Sequence, residues 1–172
     1  MLESITEFLT LPSVQHLVNG HAWFWPLCEM VHYVGMSLLV GIIGVMDLRI
    51  LGLFKVMPIG GLKPYVPLAV AGFIGNLITG FFFICGVDGG PSFYTENLSF
   101  QLKLLMLLVA FVNLIIFRVT GLEEEVYAVP SGGDAPAKAK VIAVVSLLSW
   151  VFVIVFGRLL MYNDTLLLFL GL

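Results

Sequence analysis

Four ionisable side chains within or beside long apolar stretches are the residues of this sequence best placed to do chemistry. They are Glu29, His32, Lys103 and Arg158. An ionisable group inside a membrane span costs roughly 2.5–3.5 kcal/mol and is by default a candidate functional site. Imidazole and carboxylate groups bind metals or relay protons, while lysine and arginine hold anionic groups. We expect the four side chains to form one site if the elements that carry them bring them to the same depth.

A second pattern surrounds His32. Cys28, His32 and Met36 follow one another at intervals of four residues, so a helix places them on one face. Thiol, imidazole and thioether groups are ligands that suit copper(I). Because one helical turn rises about 5.4 Å, a single copper ion can use at most two neighbouring members of the three. Copper held by His32 with Cys28 or Met36 is therefore one hypothesis for this segment.

Haem b is the other hypothesis for the same segment. His32 is then one axial ligand of the iron, Lys103 and Arg158 hold the propionates, and Glu29 lies beside them. His21 shares a helix face with His32 but lies about 16 Å from it, so the two cannot bind one iron. The second axial ligand is a methionine, or His32 of a second copy. A structural role for His32, bonded to a backbone carbonyl or to Glu29, is the alternative, as is a structural ion pair between Glu29 and Arg158.

The composition requires a membrane to position these residues. Of 172 residues, 60% are hydrophobic and only 11% are charged, and the mean hydropathy is +1.07. Soluble domains carry about 25% charged residues, because a water-exposed surface needs them. The formal net charge of −3, without a basic stripe, excludes nucleic acid as a partner. The lipid bilayer is the expected environment.

Four apolar stretches are long enough to span it, each near the roughly 20 residues that a bilayer core demands. They cover about residues 22–46, 66–87, 100–117 and 141–161. We predict an all-α fold: one transmembrane domain over residues 1–172, built as a four-helix bundle. Residues 1–21, with Leu2, Ile5 and Leu9 on one face, form a short amphipathic interfacial segment. Asn76 and Asn113 fall near mid-bilayer, where amides commonly bridge helices.

The basic residues predict the orientation. Six of the eight lie between the first and second spans or between the third and fourth, and the positive-inside rule places those loops in the cytoplasm. Both termini are then periplasmic, in a bacterial inner membrane. Residues 120–140 are rich in proline and glycine and are expected to form a flexible loop. The six are Arg49, Lys55, Lys63, Arg118, Lys138 and Lys140.

Four short segments carry a resemblance to known proteins: residues 29–35 (EMVHYVG), 47–52 (DLRILG), 100–105 (FQLKLL) and 157–158 (GR). Over most of its length the chain resembles a family of small bacterial four-helix membrane proteins without an assigned function. More distantly, it is similar to the membrane protoporphyrinogen oxidase that carries haem b and to copper-resistance D membrane proteins. The resemblance implies a haem or copper role for His32 with Lys103 as a supporting cation. The oxidase pattern has further histidines at helix ends, where this sequence has Arg118 after Phe117.

Three functions are compatible with these observations. The first is a membrane redox or metal-handling protein that binds haem b, or alternatively copper, in the outer half of the bilayer and transfers one electron at a time. The second is a non-catalytic accessory or scaffold subunit of a larger membrane complex or a homo-oligomer. The third is a small transporter that uses Glu29 and His32 as a proton relay.

Overall fold

The computed structural model describes residues 11–86 and 91–171. Those residues form eight α-helices and no strand, so the predicted all-α class is confirmed. Two 3-10 segments, Ile59–Tyr65 and Leu160–Tyr162, adjoin long helices. The helices are α1 Pro12–Gly20, α2 Phe24–Leu51, α3 Val66–Gly86, α4 Ser92–Thr95, α5 Leu98–Val119, α6 Leu122–Tyr127, α7 Ala137–Leu159 and α8 Asn163–Leu170.

The N-terminal segment is described from residue 11 onward. The amphipathic pattern of Leu2, Ile5 and Leu9 lies outside the described residues. The helix α1 begins at Pro12, a position where the missing N–H costs no hydrogen bond. It packs on the end of α3, where Val18 is buried against Gly86.

Four helices, α2, α3, α5 and α7, are long and apolar enough to cross a membrane. Together they confirm the predicted four-helix membrane bundle. Many of their large apolar side chains face outward, such as Val34, Leu108 and Phe111, which are 57–60% exposed. Water does not favour such a surface but a bilayer does, so the lipid environment follows from the fold.

The helix that carries the first predicted span, residues 22–46, extends beyond residue 46. The helix α2 continues for five more residues and ends at Leu51, and the next residue, Gly52, has a φ of 107°, in the left-handed region that glycine tolerates. Asp47 and Arg49 are therefore inside the helix, and both are buried. The loops at this end cover Arg49, while Asp47 lines a cavity among the spans.

The four spans pack as two antiparallel hairpins. The helix α2 pairs with α3, α5 pairs with α7, and the hairpins meet through α2 and α7. Between the described parts of α3 and α5 the packing is far looser. In the second hairpin Asn113 Nδ2 donates to the carbonyl of Ile142 at 3.0 Å, which confirms that this amide bridges helices. We call the end where α2 begins the His32 end and the opposite one the Arg49 end.

The loops at the Arg49 end close over a buried guanidinium. Arg49 is 0% exposed, and its Nε donates to the Met57 carbonyl at 2.6 Å. Its Nη2 donates to the carbonyls of Pro130 and Gly133, both at 3.2 Å. Residues 120–140, expected to be a flexible loop, instead contain α6 and are held by two of these bonds. The planar guanidinium, with its five donors, ties both loops to the bundle.

Candidate functional site

His32 is held by one hydrogen bond across the interface between α2 and α3. Its Nδ1 lies 2.7 Å from Thr79 Oγ1. The Thr79 hydroxyl lies 2.8 Å from the Gly75 carbonyl, one turn earlier in α3, and donates its single hydrogen there. Because that hydrogen is used, Thr79 accepts from the Nδ1–H of His32. In the neutral imidazole Nε2 then carries no proton and keeps its lone pair for a ligand.

Close helix packing brings these two side chains together. One turn along α2 from His32, Gly35 lies against Gly72 of α3, and a Cβ on either glycine would come within 2.5–2.6 Å of the other's carbonyl oxygen. Only a residue without a side chain permits this approach. The glycine pair therefore sets the distance across which His32 reaches Thr79.

Aromatic rings cover the imidazole on the side of the His32 end. The ring of Phe83 lies 5.4 Å from that of His32, and the ring of Trp25 lies 4.9 Å from Phe83. The indole Nε1 of Trp25 donates to Glu29 Oε1 at 3.1 Å, which turns this carboxylate toward the exposed surface. The pKa of Tyr94 is raised above its ordinary value, mainly because the phenol is buried and also because the negative charge of Glu29 lies nearby. Glu29 thus lies at the rim of the site.

Lys103 lies close enough to His32 to interact with it electrostatically. Its Nζ lies 3.6 Å from the place that a Cβ on Gly157 would occupy, so this glycine leaves room for the ammonium. In the described part of the chain, Lys103 forms no ion pair and no hydrogen bond. A half-buried cation beside a neutral imidazole is an arrangement suited to an anionic group.

Arg158 follows Gly157 and lies on the exposed surface of α7. Its side chain is exposed, and its guanidinium lies 5.5 Å from the centre of the Tyr162 ring. No ion pair joins Arg158 to Glu29 among residues 11–86 and 91–171. The structure therefore brings His32 and Lys103 together, places Arg158 one residue from the lysine contact, and leaves Glu29 bonded to Trp25.

The sulfur residues of α2 sit on either side of His32. Cys28 is a buried free thiol, and Met36 is half-buried. Within the described ranges no group of three His, Cys, Asp or Glu side chains is close enough to hold a metal ion. The other two histidines, His16 and His21, are exposed, and His21 Nδ1 lies 3.2 Å from the Leu17 carbonyl. A copper ion could draw on His32 and one neighbouring sulfur.

Thr79 is the site residue that the sequence did not reveal. It stands in an apolar run, where threonine usually bonds back to the carbonyl four residues earlier. This preference is a weak indication of a site residue, because it does not identify the side chain whose hydrogen bond the hydroxyl oxygen accepts. The pairing of α2 with α3 provides that information.

No family model, curated protein or solved structure matches this chain. The resemblance carried by the segments around His32 and Lys103 stays a prediction. The functional argument therefore rests on the geometry of the described residues.

Proposed function

We propose that this protein is a membrane redox protein that binds haem b, with His32 as an axial ligand. The observation that carries the proposal is the hydrogen bond from His32 Nδ1 to Thr79, which leaves Nε2 as the free ring nitrogen. Histidines that bind metals commonly donate their other ring N–H to a fixed acceptor, which sets the tautomer and the ring orientation. His32 has this arrangement, with Thr79 as the fixed acceptor.

The donor set fits haem in two respects. A neutral imidazole is the axial ligand of many haem proteins, and an unpaired cation near it suits a propionate. His32 would hold the iron and Lys103 a propionate, with Arg158 near the same level. Glu29 would stay at the rim, beside Trp25. Haem, when bound, supplies a one-electron couple.

The chain's own residues would tune and shield that couple. Thr79 fixes the plane of the His32 ring and, by accepting the Nδ1 proton, strengthens the ring as an electron donor. Phe83 and Trp25 keep water from the imidazole on one side. The positive charge of Lys103 favours an anionic group and disfavours a second cation nearby.

A methionine, or His32 of a second copy of the chain, would provide the second axial ligand. Neither His16 nor His21 is a candidate for this ligand, because both side chains are exposed and both residues precede the first residue of α2. In a symmetric dimer, His32 of each copy would help to hold one shared haem. We therefore propose a homo-oligomer or a larger membrane complex as the working form.

The cellular setting is part of the proposal. The basic residues concentrate at the Arg49 end, which the positive-inside rule places in the cytoplasm. His32 then lies in the outer half of a bacterial inner membrane, with both termini periplasmic. An electron would pass toward a quinol or a periplasmic partner.

Absorption spectra of the detergent-purified full chain, reduced and oxidised, test the proposal. We expect Soret and α bands in the native protein, their loss in His32→Ala, and their retention in His21→Ala. The control removes an exposed histidine outside the membrane-spanning helices. Full bands in His32→Ala would overturn the proposal.

The same preparation separates the alternatives when its metal content is measured. If the protein contains copper and shows no haem bands, the result indicates a copper site formed by His32 with Cys28 or Met36. If the preparation contains neither a chromophore nor copper, and another protein co-purifies with it at fixed stoichiometry, the result favours the non-catalytic accessory subunit instead.

A further inference from the structure

A cavity of about 190 Å³ opens in the Arg49 half of the bundle. All four spans and α6 contribute to its walls, and it lies where α3 and α5 pack loosely against each other. An apolar cavity of about 150 Å³ is large enough to bind benzene. This space therefore suits a molecule only slightly larger than one aromatic ring.

One wall of the cavity carries an unsatisfied carboxyl oxygen. Asp47 lines the cavity and is 6% exposed, and its Oδ2 has no hydrogen-bond partner among the described residues. Leaving a buried polar atom unpaired costs about 1–3 kcal/mol, and more for a charged group. Such an atom inside a cavity indicates a missing hydrogen-bond donor.

Besides Asp47, the lining contributes the polar side chains of Asn113 and Ser146, and the arginine that lines the cavity, Arg118, is paired with Glu123. Asn113 lines the cavity. Its Nδ2 donates to the carbonyl of Ile142, so its Oδ1 is the atom that remains available as an acceptor. The Ser146 hydroxyl donates to the Asp47 carboxyl, so Oδ2 is the carboxyl oxygen left without a donor among the described residues. The polar wall thus suits a ligand that carries positive charge and N–H donors.

Aromatic rings stand among the aliphatic side chains that line the rest of the wall. The ring of Phe73 lies edge-on to that of Trp150 at 6.5 Å, and Phe111 and Tyr127 line the same space. Aromatic faces attract organic cations. A hard metal cation needs about six oxygen ligands, and Asp47, Asn113 and Ser146 supply three side chains. The walls therefore favour an organic ammonium group over a metal ion.

An ion pair forms part of the cavity wall. Glu123 of α6 and Arg118 of α5 both line the cavity, and 3.4 Å separates Oε2 of the glutamate from Nε of the arginine. Because Glu123 offsets the charge of Arg118, this pair adds no net charge to the wall. Glu124 and Glu125 follow in the same helix, and their negative charge favours cations over anions near this end of the bundle.

We propose that this cavity binds a small lipophilic amine in its ammonium form, with the ammonium donating to Oδ2 of Asp47 and the apolar part lying among the aromatic rings. The site is separate from His32, since the fifteen helical steps from His32 to Asp47 rise roughly 22 Å. The inference therefore stands whether or not haem binds at the other end.

Isothermal titration calorimetry on the full chain in detergent micelles tests the site, with phenethylammonium chloride as the charged probe and propylbenzene as its neutral counterpart. We expect saturable binding of the ammonium, at least about tenfold tighter than that of the hydrocarbon, because the hydrocarbon leaves Asp47 unpaired. Equal affinities would overturn the proposal and mark the cavity as a site for apolar chains. No binding of phenethylammonium would overturn it as well.

The variant Asp47→Asn keeps the side-chain shape and removes the charge. We expect it to weaken phenethylammonium binding about 30-fold while leaving propylbenzene binding unchanged, which also shows that the cavity is intact. The matched control is Asp134→Asn, which changes an exposed loop carboxylate at the same end that pairs with Lys55 and Lys140. Unchanged ammonium affinity in Asp47→Asn, or an equal loss in Asp134→Asn, contradicts the assignment.

Discussion

Gly35 of α2 and Gly72 of α3 are in direct backbone contact: a Cβ on Gly35 would lie 2.6 Å from the Gly72 carbonyl oxygen. The contact lies about one turn along α2 from His32. Small residues at such a crossing allow two membrane helices to approach closely. The glycine pair and the bond between His32 and Thr79 are therefore two parts of one interface.

Replacing Gly35 with alanine should separate α2 from α3. Overpacking a tight interface costs about 1–3 kcal/mol, so we expect a lower melting temperature of the purified protein in detergent. The control is Gly41→Ala, on the same helix, where a Cβ meets no atom within 4 Å. That change should be neutral or stabilising by roughly 0.5–1 kcal/mol, because alanine favours the helix. Equal destabilisation by both changes would argue against the tight interface.

Thr79→Val removes the acceptor for His32 Nδ1 and keeps the shape of the side chain. If His32 is an axial ligand, losing this bond weakens the imidazole as a donor, so the reduction potential of the haem should rise while haem stays bound. Potentiometric titration of the α band measures the change. Thr120→Val is the control, because Thr120 also bonds back to a carbonyl four residues earlier but does not face His32. An unchanged potential in Thr79→Val would show that the bond does not act on the iron.

Lys103→Gln removes the unpaired cation near His32. We expect haem affinity to fall about tenfold, or roughly 1.4 kcal/mol, since one anionic group loses its charged partner. Haem titration into the apoprotein measures it. Lys63→Gln, which changes a lysine 5.1 Å from the Tyr127 ring at the opposite end, should leave the affinity unchanged. A similar effect of both substitutions would point to net charge rather than to the site.

Arg49→Met should loosen the Arg49 end. The change leaves the carbonyls of Met57, Pro130 and Gly133 without their hydrogen-bond donor. Because each buried unpaired group costs about 1–3 kcal/mol, we expect the free energy of unfolding to fall by roughly 3 kcal/mol or more. Thermal unfolding measures the loss, and hydrogen exchange should locate it in residues 53–58 and 128–136. Arg118→Met, at an exposed arginine in an ion pair, should cost less than about 1 kcal/mol.

The sequence was sufficient to predict the fold class and the four spans, because hydropathy summed over some 20 residues is a strong signal. It did not show that Asp47 and Arg49 are buried, because the burial of a charged side chain depends on its tertiary partners. The burial of Arg49 depends on loops at residues 53–58 and 128–136, whose carbonyls accept from its guanidinium, and Asp47 lines a cavity among the spans.

The candidate site was predictable in part. His32 and Lys103 stand out because ionisable groups are rare inside spans, and the structure places them near each other. The partners Thr79 and Gly157 did not stand out, since a threonine or a glycine in an apolar helix is common. Only the pairing of helices decides which residue they face. Glu29 was expected to join the cluster, but the nearby indole of Trp25 competes for its carboxylate.

Imidazole rescue of His32→Gly tests the axial ligand most directly. The substitution leaves a space that free imidazole can fill, while Thr79 remains to accept its N–H. We predict that the variant lacks the haem bands, that they return in proportion to added imidazole, and that His21→Gly keeps them throughout. Full haem bands in His32→Gly without imidazole would contradict the assignment of His32 as the iron ligand.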